Sequence, residues 1–378
     1  MKFMHLSDLH MGKRVNEYSM LEDQKYILRQ ILSLADEEKP EAVLIAGDIY
    51  DKSVPGGEAV LLFDWFLTQL TARKLPVFFI SGNHDSAERL SFGRSILSDS
   101  EVYISEVYKG NIQRITKEDA YGLIHFYLIP FLKPAVIKHY MPEKEIVDYQ
   151  SAMEAVIEHL DVDKSERNVF LVHQFLTGAA RSDSEEISVG GLDDISADVF
   201  DGIDYVALGH IHRPQWVKRE TIRYCGTPLK YSFSEAEHEK SVTFVTMKEK
   251  GDIEIETRSL VPLHDMRKLR GTYLELTNPS NYKNTKTDDY LSITLTDDVD
   301  EPNVMGKLRT IYPNIMRLEY DNHRIKAVGL GISEQMEAEK RPLELFADFY
   351  EKQNGMAMTK EQSAYIKEIV ETVWEGQQ

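Results

Sequence analysis

Cysteine is almost absent from this sequence, which has a single one, Cys225, among 378 residues. A lone cysteine cannot form an internal disulfide, so a disulfide-stapled secreted domain is excluded and a reducing compartment is favoured. Long apolar runs are absent as well, because polar and charged side chains interrupt the most apolar long window, residues 58–75. A membrane-spanning helix needs about 20 predominantly apolar residues, so no membrane span is expected.

Positive charge is in deficit. With 44 lysines and arginines against 63 aspartates and glutamates, the formal net charge is −19. This balance argues against a broad electrostatic coating of nucleic acid, but it permits a local basic path or an acidic site filled by cations. The first ten residues contain Asp8 and two histidines, where a signal peptide needs an unbroken apolar stretch. We therefore expect a cytoplasmic protein without a membrane partner.

Short apolar runs alternate with helical stretches over the first 260 residues. The runs are too short for buried helices and too uniformly apolar for half-exposed strands, which predicts strands buried on both faces. Apolar residues at helical spacing predict helices over residues 20–38 and 58–74. Strands that alternate with helices predict a layered α/β domain. The predicted strands cover residues 2–6, 42–46, 77–80, 169–172 and 205–208.

The pattern changes near residue 271. Alternating apolar residues predict strands over residues 290–296 and 315–320, with a short helix opened by Pro302 between them. The polar residues 277–289 are predicted to form a loop. These elements indicate a small, separate α/β module.

Residues 334–378 carry two apolar helical faces. Thr359 and Gln362 have the spacing of a capping box, which predicts the start of the second helix. A helix pair this short cannot bury its own apolar stripes, so it either docks back on the chain or binds a partner. The pattern alone leaves both alternatives open.

Polar side chains follow each of the five predicted strands at the point where the strand ends. Because the carboxyl ends of strands in an α/β sheet line one crevice, clusters far apart in the chain are expected to converge in one pocket. The clusters contain Asp8 and His10; Asp48 and Asp51; Asn83, His84 and Asp85; His173; and His210 and His212.

These residue types suit a centre of two metal ions. Asp, Asn and His supply the oxygen and nitrogen ligands that manganese, iron and zinc accept. Seven candidate ligands are too many for one ion and suit two if one carboxylate, naturally Asp48, bridges them. Asp8, His10 and His212 would complete one ion, and Asn83, His173 and His210 the other. Two ions about 3.5–4 Å apart can hold a hydroxide and clamp a phosphoryl group for in-line attack.

Three residues of these clusters have expected roles beside the ions. His84 would polarise the phosphate or protonate the leaving oxygen, and Asp85 would orient the His84 imidazole. Asp51 either supports the site from behind the ligands or merely caps a loop. Gly47 and Gly82 are also consistent with a role as turn residues and nothing more. A single Asp-x-His or His-x-His pair is usually structural, but five compatible clusters at successive strand ends favour a metal site.

In chain order the clusters form the pattern Asp-x-His, Gly-Asp-x-x-Asp, Gly-Asn-His-Asp, His and Gly-His-x-His. This pattern resembles the calcineurin-like metallophosphoesterase superfamily over about residues 1–230, and similarity to its nuclease branch extends to about residue 330. The resemblance implies an α/β (α+β) fold of two stacked mixed β-sheets flanked by helices, the same two ligand sets, and a transition-state role for His84. It is carried by the stretches MHLSDLHMGK, AGDIYDKSVP, SGNHDSAERL, VHQFLTGAARSDSEEISVGG, YVALGHIHRPQ and CGTPLKYSFSEAEHEKSV.

The resemblance also implies a domain organisation. It implies a nuclease domain over residues 1–265 and a small α/β capping domain against DNA over residues 270–328. It further implies a helical pair over residues 334–378 that binds an SbcC-like coiled-coil ATPase, with the chain forming a homodimer within a heterotetramer.

The activity implied by the resemblance is two-metal hydrolysis of DNA, most naturally with Mn²⁺, in DNA end processing, repair and recombination. The enzyme would act as a double-strand exonuclease and as an endonuclease on single strands and hairpins. The alternative is a metallophosphatase or small-molecule phosphodiesterase, which the ligand set does not refute. The additional module and the helical tail argue against it, because a small substrate would need neither. A non-catalytic scaffold is ranked last, since the full ligand set is present.

Overall fold

The structure is a computed structural model that describes residues 1–185, 194–298 and 301–321, with residues 346–347, 350, 358–359, 362–363 and 365–366. The chain divides into two compact units: Met1–Leu295 with Glu301–Glu319, and Thr296–Asp300 with Tyr320–Gln378. Most of the predicted helical tail lies outside the described residues. Its predicted capping box is present, since the Thr359 N–H donates to Gln362 Oε1 (2.9 Å) and the Gln362 N–H donates to Thr359 Oγ1 (3.3 Å).

The described residues form nineteen strands and nine α-helices. Among these residues, no helix combines the length and the apolar character that crossing a bilayer requires. The strands are β1 (Lys2–Leu6), β2 (Arg14–Val15), β3 (Tyr18–Ser19), β4 (Ala42–Ala46), β5 (Val77–Ile80), β6 (Val102–Ile104), β7 (Gln113–Asp119), β8 (Gly122–Ile129), β9 (Arg167–His173), β10 (Phe175–Leu176), β11 (Asp194–Ile195), β12 (Tyr205–Gly209), β13 (Gln215–Val217), β14 (Arg219–Tyr224), β15 (Ser241–Met247), β16 (Ile253–Ser259), β17 (Met266–Gly271), β18 (Tyr290–Leu295) and β19 (Ile315–Tyr320). The helices are α1 (Leu21–Glu38), α2 (Gly57–Ala72), α3 (Ala87–Leu90), α4 (Arg94–Leu97), α5 (Pro134–Tyr140), α6 (Tyr149–His159), α7 (Tyr273–Thr277), α8 (Pro279–Tyr282) and α9 (Val304–Arg309).

Two six-stranded mixed sheets form the body of the first unit. In the first, of order β16-β15-β1-β4-β5-β6, the strands β1, β4, β5 and β6 pair in parallel, and the β1–β15 and β15–β16 pairs are antiparallel. In the second, of order β13-β14-β12-β9-β8-β7, the four inner strands pair in parallel and both outer pairs are antiparallel.

The two sheets stack through a shared apolar core. Phe3, Leu44 and Phe78 of the first sheet pack with Phe126 and Leu171 of the second. The opposite face of the first sheet packs against α1 and α2, and α6 covers the second sheet. Inner strands buried on both faces explain the uniformly apolar runs in the sequence. The predicted fold of two stacked mixed sheets flanked by helices is confirmed.

A third sheet, of order β17-β18-β19, follows the two large sheets in sequence. Its strands β18 and β19 and its helix α9 lie close to the predicted positions. Pro302 does not open α9, however, because the helix begins at Val304 after the N-cap residue Asn303. The loop prediction for residues 277–289 was wrong, because α8 forms there: the Asn278 side chain accepts the Ser280 N–H, and Pro279 opens the helix. The sheet is tied to α1 through the buried Asp23, which accepts hydrogen bonds from the Tyr290 hydroxyl (2.8 Å) and from His264 Nδ1 (3.0 Å).

Candidate metal centre

The seven predicted ligands lie at the carboxyl ends of central strands of the two large sheets. Register brings them together: His173, the last residue of β9, pairs with Gly209, the last residue of β12. All seven are buried except Asn83, which is half-buried. Their positions are Asp8 and His10 after β1, Asp48 after β4, Asn83 after β5, His173 at the end of β9, and His210 and His212 after β12.

Four of the seven have left-handed backbone conformations. Their φ angles are 51° at Asp8, 44° at His10, 49° at Asp48 and 99° at His210. Such conformations cost a non-glycine residue on the order of 1–3 kcal/mol and concentrate at functional sites. Main-chain hydrogen bonds hold the two loops in register, since the Asp8 N–H donates to the Gly47 carbonyl (3.0 Å) and the His10 N–H to the Asp48 carbonyl (2.9 Å).

Asp8, His10 and His212 form one group, in which the potential ligand atoms lie within 4.8 Å of one another. The Nε2 atoms of His10 and His212 are 3.1 Å apart. Asp8 is oriented by the His210 N–H, which donates to Oδ1 (2.9 Å), and by the Ser7 hydroxyl, which donates to Oδ2. Burial raises the pKa of Asp8 to about 6.

Asn83, His173 and His210 form a second group around the Asn83 side-chain oxygen. Asn83 Oδ1 lies 2.9 Å from His173 Nε2 and 2.9 Å from His210 Nδ1. His173 Nδ1 is 2.8 Å from the Ala46 carbonyl, to which it donates. When neutral, the His173 ring therefore directs its lone pair on Nε2 at the Asn83 oxygen. Acceptors that approach this closely require a proton or a cation between them.

Asp48 lies between the two groups. Its Oδ2 atom is 3.7 Å from His10 Nε2 and 3.4 Å from His173 Nε2. Its Oδ1 atom accepts the His84 N–H (3.0 Å), which fixes the plane of the carboxylate. One carboxylate oxygen within reach of ring nitrogens from both groups is the arrangement expected of a bridging ligand.

The charges of the buried groups also fit cation binding. Burial acts to raise the pKa of Asp48, but the surrounding rings of His173, His10 and His84 hold it well below its usual range. Burial acts to lower the pKa of His173, but the Asp48 carboxylate raises it to about 9. A proton on His173 thus balances the Asp48 charge, and a metal ion can take the place of that proton.

Two glycines allow the ligand-bearing loops to approach one another. A Cβ atom at Gly82 would overlap Oδ1 of Asp48, and one at Gly209 would overlap the Ala46 carbonyl and approach His173 Nδ1. The room for the ligand side chains therefore depends on the absence of a side chain at both positions. The buried acceptors, the Asp48 carboxylate between the two groups and this close approach together fit a pair of divalent ions.

His84 lies beside the two groups. Its Nε2 atom is 3.9 Å from Asp48 Oδ2, and His10, Asp48 and His84 offer a further set of atoms within 4.8 Å of one another. His84 Nδ1 lies 3.0 Å from the Asp51 carbonyl, to which it donates. That bond turns Nε2 toward the cluster.

The Asp51 carboxylate lies behind the ligands. Its Oδ1 atom is 2.7 Å from Lys13 Nζ and 3.8 Å from His10 Nδ1. Asp51 therefore contacts the site twice, through its carbonyl at His84 and through its side chain near His10. Both contacts favour a supporting role over that of a simple loop cap.

Asp85 joins the loops that follow β4 and β5. Its carboxylate accepts hydrogen bonds from the backbone N–H groups of Ile49 (3.1 Å), Tyr50 (2.9 Å) and Gly82 (2.9 Å). Burial, with the nearby Asp48 charge, raises the pKa of Asp85 to about 6. These contacts hold the two loops together, and the orientation of His84 by Asp85 stays a prediction.

Sequence reasoning missed four residues that surround His212. Ser184 Oγ is 2.7 Å from His212 Nδ1, and Glu185 Oε1 accepts the His212 N–H (2.8 Å). Glu235 accepts the Ser184 hydroxyl (2.6 Å) and pairs with Lys240, which also donates to the His212 carbonyl (2.8 Å). Burial acts to raise the pKa of Glu235, but His212 and Lys240 hold it below its usual range. The only sequence signal for these four residues is that they lie in stretches that resemble the calcineurin-like metallophosphoesterase superfamily.

Comparison with known families decides the classification. Residues 1–214, more than half of the chain, match the calcineurin-like phosphoesterase family, and residues 262–354 match the family described as the type 5 capsule protein repressor C-terminal domain. The SbcD subunit of nuclease SbcCD from Staphylococcus epidermidis is 32% identical over 323 residues, which cover 84% of this chain and 85% of that relative. The chain belongs to the SbcD family of calcineurin-like phosphoesterases.

Membership of the SbcD family confirms the resemblance inferred from the motifs. It makes the chain a phosphoesterase of a family that uses divalent metals, in agreement with the donor groups described above. Among solved structures, TT1561 of Thermus thermophilus is 12% identical with a TM-score of 0.38, covering 68% of this chain and 97% of its own. A dimetal phosphatase from Danio rerio is 12% identical with a TM-score of 0.43, covering 70% of this chain and 98% of its own.

Proposed function

We propose that this chain is a DNA nuclease that hydrolyses phosphodiester bonds with two divalent ions. The observation that carries the proposal is the position of Asp48 Oδ2, within 3.7 Å of ring nitrogens from both ligand groups. Asp48 would contribute to both ion sites, and divalent ions held there would supply the chemistry that activates a water and offsets negative charge on the phosphate. Asp8, His10 and His212 complete one site, and Asn83, His173 and His210 the other.

His84 acts on the substrate in this proposal. The Asp51 carbonyl holds its Nδ1–H, so Nε2 remains directed at the cluster. From there the imidazole stabilises the phosphate in the transition state or donates a proton to the leaving oxygen. Asp85 maintains the spacing of the two loops that carry Asp48 and His84 through its three main-chain hydrogen bonds.

Mn²⁺ is the proposed metal. The centre combines imidazole nitrogens with carboxylate and amide oxygens and offers no thiolate, since Cys225 donates to Ser7 and lies outside the ligand groups. Mixed nitrogen and oxygen donors suit manganese, whereas thiolates would favour softer ions.

DNA is the proposed substrate rather than a small phosphoester. Similarity to a relative that is named a nuclease covers 84% of the chain, including the module beyond the large sheets. We assign residues 1–265 to the nuclease domain and residues 270–328 to a capping domain that contacts DNA. The proposed activities are exonuclease action on double strands and endonuclease action on single strands and hairpins. A metallophosphatase remains the second candidate, because the same ligand set serves both reactions.

A coiled-coil ATPase is the proposed partner. The Staphylococcus epidermidis relative is named as one subunit of SbcCD, which supports an SbcC-like ATPase as partner of this chain. Residues 334–378 are the proposed docking element, since their two apolar faces are too short to bury each other. The partner would supply part of the DNA contact that a chain of net charge −19 lacks. The proposed processes are DNA end processing, repair and recombination. The proposed compartment is the cytoplasm.

A homodimer is proposed as the assembly of this chain, within a heterotetramer with the ATPase. Large apolar side chains are exposed on α2 and on the segment of α3 and α4: Leu61 is 69% exposed, Phe92 86% and Ile96 77%. Val60 and Phe92 line one groove of about 440 Å³. Val60 of α2 and Phe92 thus share one surface groove, and contiguous exposed apolar surface of this kind is typical of protein–protein contact.

Cleavage of end-labelled DNA tests the proposed activity. The purified full chain would be incubated with duplex, hairpin and single-stranded DNA in Mn²⁺, with a chromogenic phosphomonoester in parallel. We expect DNA cleavage by the wild type and a loss of about 10²–10⁴-fold in turnover for His84→Ala, which removes the proton donor but no ligand. The His84→Ala variant should still bind two ions.

The outcomes separate the candidates. Hydrolysis of the monoester with all three DNA substrates intact would replace the nuclease by a phosphatase. Loss of metal in His84→Ala would show that His84 is a ligand. Because the ATPase partner would supply part of the DNA contact, an intact duplex alone does not decide the test, and single-stranded DNA is the deciding substrate for the isolated chain.

A further inference from the structure

His212 is oriented by a segment that lies outside all five of the predicted polar clusters. Residues 182–185 lie within the Ser- and acid-rich stretch that follows β10, and they contact His212 on two sides. Ser184 Oγ lies 2.7 Å from the ring nitrogen Nδ1, and Glu185 Oε1 accepts the His212 main-chain N–H at 2.8 Å. The segment is anchored in turn by the Asp183 N–H, which donates to Ser234 Oγ (2.9 Å).

The hydrogen bonds around Ser184 have one consistent direction. Glu235 is buried and ion-paired with Lys240, so its carboxylate only accepts, and the Ser184 hydroxyl donates to it at 2.6 Å. Having given its hydrogen to Glu235, Ser184 Oγ accepts from His212 Nδ1–H. The neutral His212 ring therefore carries its proton on Nδ1, and its lone pair is on Nε2, which faces His10 Nε2 at 3.1 Å.

In the second ligand group, His173 is oriented by a main-chain acceptor instead of a side chain. His173 donates its Nδ1–H to the Ala46 carbonyl, which belongs to the β4 strand and cannot move without the sheet. His212 instead depends on a side chain from a loop segment. Removal of one hydroxyl can thus release His212 and leave His173 in place.

We propose that Ser184 is a positioning residue that, backed by Glu235 and Lys240, fixes the tautomer and the ring orientation of His212 for metal binding. This inference rests on the proposed function, because it takes His212 to be a ligand. Partners of the second ring nitrogen typically contribute about 10–100-fold to metal affinity. The effect should fall on the ion held by Asp8, His10 and His212 and not on the other ion.

Calorimetric titration of Mn²⁺ into the metal-stripped full chain tests the proposal without any use of activity. For Ser184→Ala we expect one of the two binding events to weaken by about 10–100-fold while the other is unchanged. Ser184→Thr keeps the hydroxyl and should retain wild-type affinity at both sites. Ser165→Ala is the matched control, since Ser165 is an exposed loop serine that bonds to Asp163. The melting temperature of each metal-free variant, measured in parallel, checks that the fold is intact.

The results distinguish this inference from the proposed function. Wild-type affinity at both sites in Ser184→Ala would overturn the positioning role while leaving the two-metal centre standing. Equal weakening at both sites, with a lowered melting temperature of the metal-free chain, would also overturn it, because it would mark Ser184 as a general structural residue. A wild-type chain that binds no Mn²⁺ would overturn the proposed function and this inference with it.

Discussion

At the scale of single residues, Asp48 has two oxygens with different tasks. Oδ1 is held by the His84 N–H, and Oδ2 faces ring nitrogens of both ligand groups. Asp48→Asn keeps the shape of the side chain and removes its charge, so we predict that both ions are lost together. Metal content per chain after gel filtration checks this, with Asp36→Asn, at an exposed ion pair with Arg73, as control. Two ions per chain in Asp48→Asn would contradict the bridging role.

The pKa of His173 predicts how metal binding depends on pH. The Asp48 carboxylate, acting against burial, raises this pKa to about 9, so in the metal-free chain the ring is protonated below that pH. An ion that binds through Nε2 displaces this proton, and its affinity should fall by about tenfold for each pH unit below 9. Calorimetry of Mn²⁺ binding at several pH values, in buffers of different ionisation enthalpy, measures both the affinity and the protons released. An affinity that stays constant from about pH 9 down to neutrality would be inconsistent with His173 as a ligand.

Prediction from sequence succeeded for side chains whose position follows from a strand end. The structure brings together all seven predicted ligands, because each closely follows or ends a central strand. Ser184 and Glu235 were not predicted as partners of His212, because their contacts depend on the path of loops that no periodicity encodes. The hydrogen bond from His84 to the Asp51 carbonyl was not predictable either, because every residue type carries a main-chain carbonyl.

At the scale of secondary structure, burial decided what was predictable. Strands β1, β4 and β5 have the predicted bounds, because burial on both faces makes their sequences uniformly apolar. The outer strand β7 (Gln113–Asp119) alternates between half-buried and exposed residues and carries mostly polar side chains, so it gives a much weaker signal. Helix α8 is only four residues long, which is too short for a helical apolar period, so the polar sequence predicts a loop there.

The approach of the β4 and β5 loops gives a prediction at this scale. Gly82→Ala would place a Cβ atom against the Asp48 carboxylate and backbone, so we expect destabilisation of about 1–3 kcal/mol and the loss of metal. Gly57→Ala is the control, because nothing lies within 4 Å of its added Cβ atom and alanine favours the first turn of α2. Urea denaturation and metal content are the measurements. A Gly82→Ala chain as stable as Gly57→Ala, with both ions bound, would contradict the proposed crowding.

At the scale of the whole molecule, the amino-acid composition determines the net charge but not the assembly of the chain. The net charge of −19 is compatible with a buried cation-binding centre, because carboxylates and imidazoles converge there. The boundaries of the three proposed domains stay predictions. The Asp23 contacts with His264 and Tyr290 join the third sheet to α1, a link between distant segments that no local sequence pattern could reveal.

The exposed apolar side chains of α2 lead to the last prediction, on assembly. Leu61 is 69% exposed on α2, and if a second copy covers it, a charge there would be buried in the contact at a large desolvation cost. We expect Leu61→Asp to convert a dimer to a monomer with its Mn²⁺ content unchanged, as measured by light scattering after gel filtration. Leu274→Asp is the matched control, since Leu274 is 77% exposed on α7, away from α2 in sequence, and should leave the dimer intact. A wild-type chain that is monomeric at all concentrations, or a dimer that survives Leu61→Asp, would exclude this face as the contact between subunits.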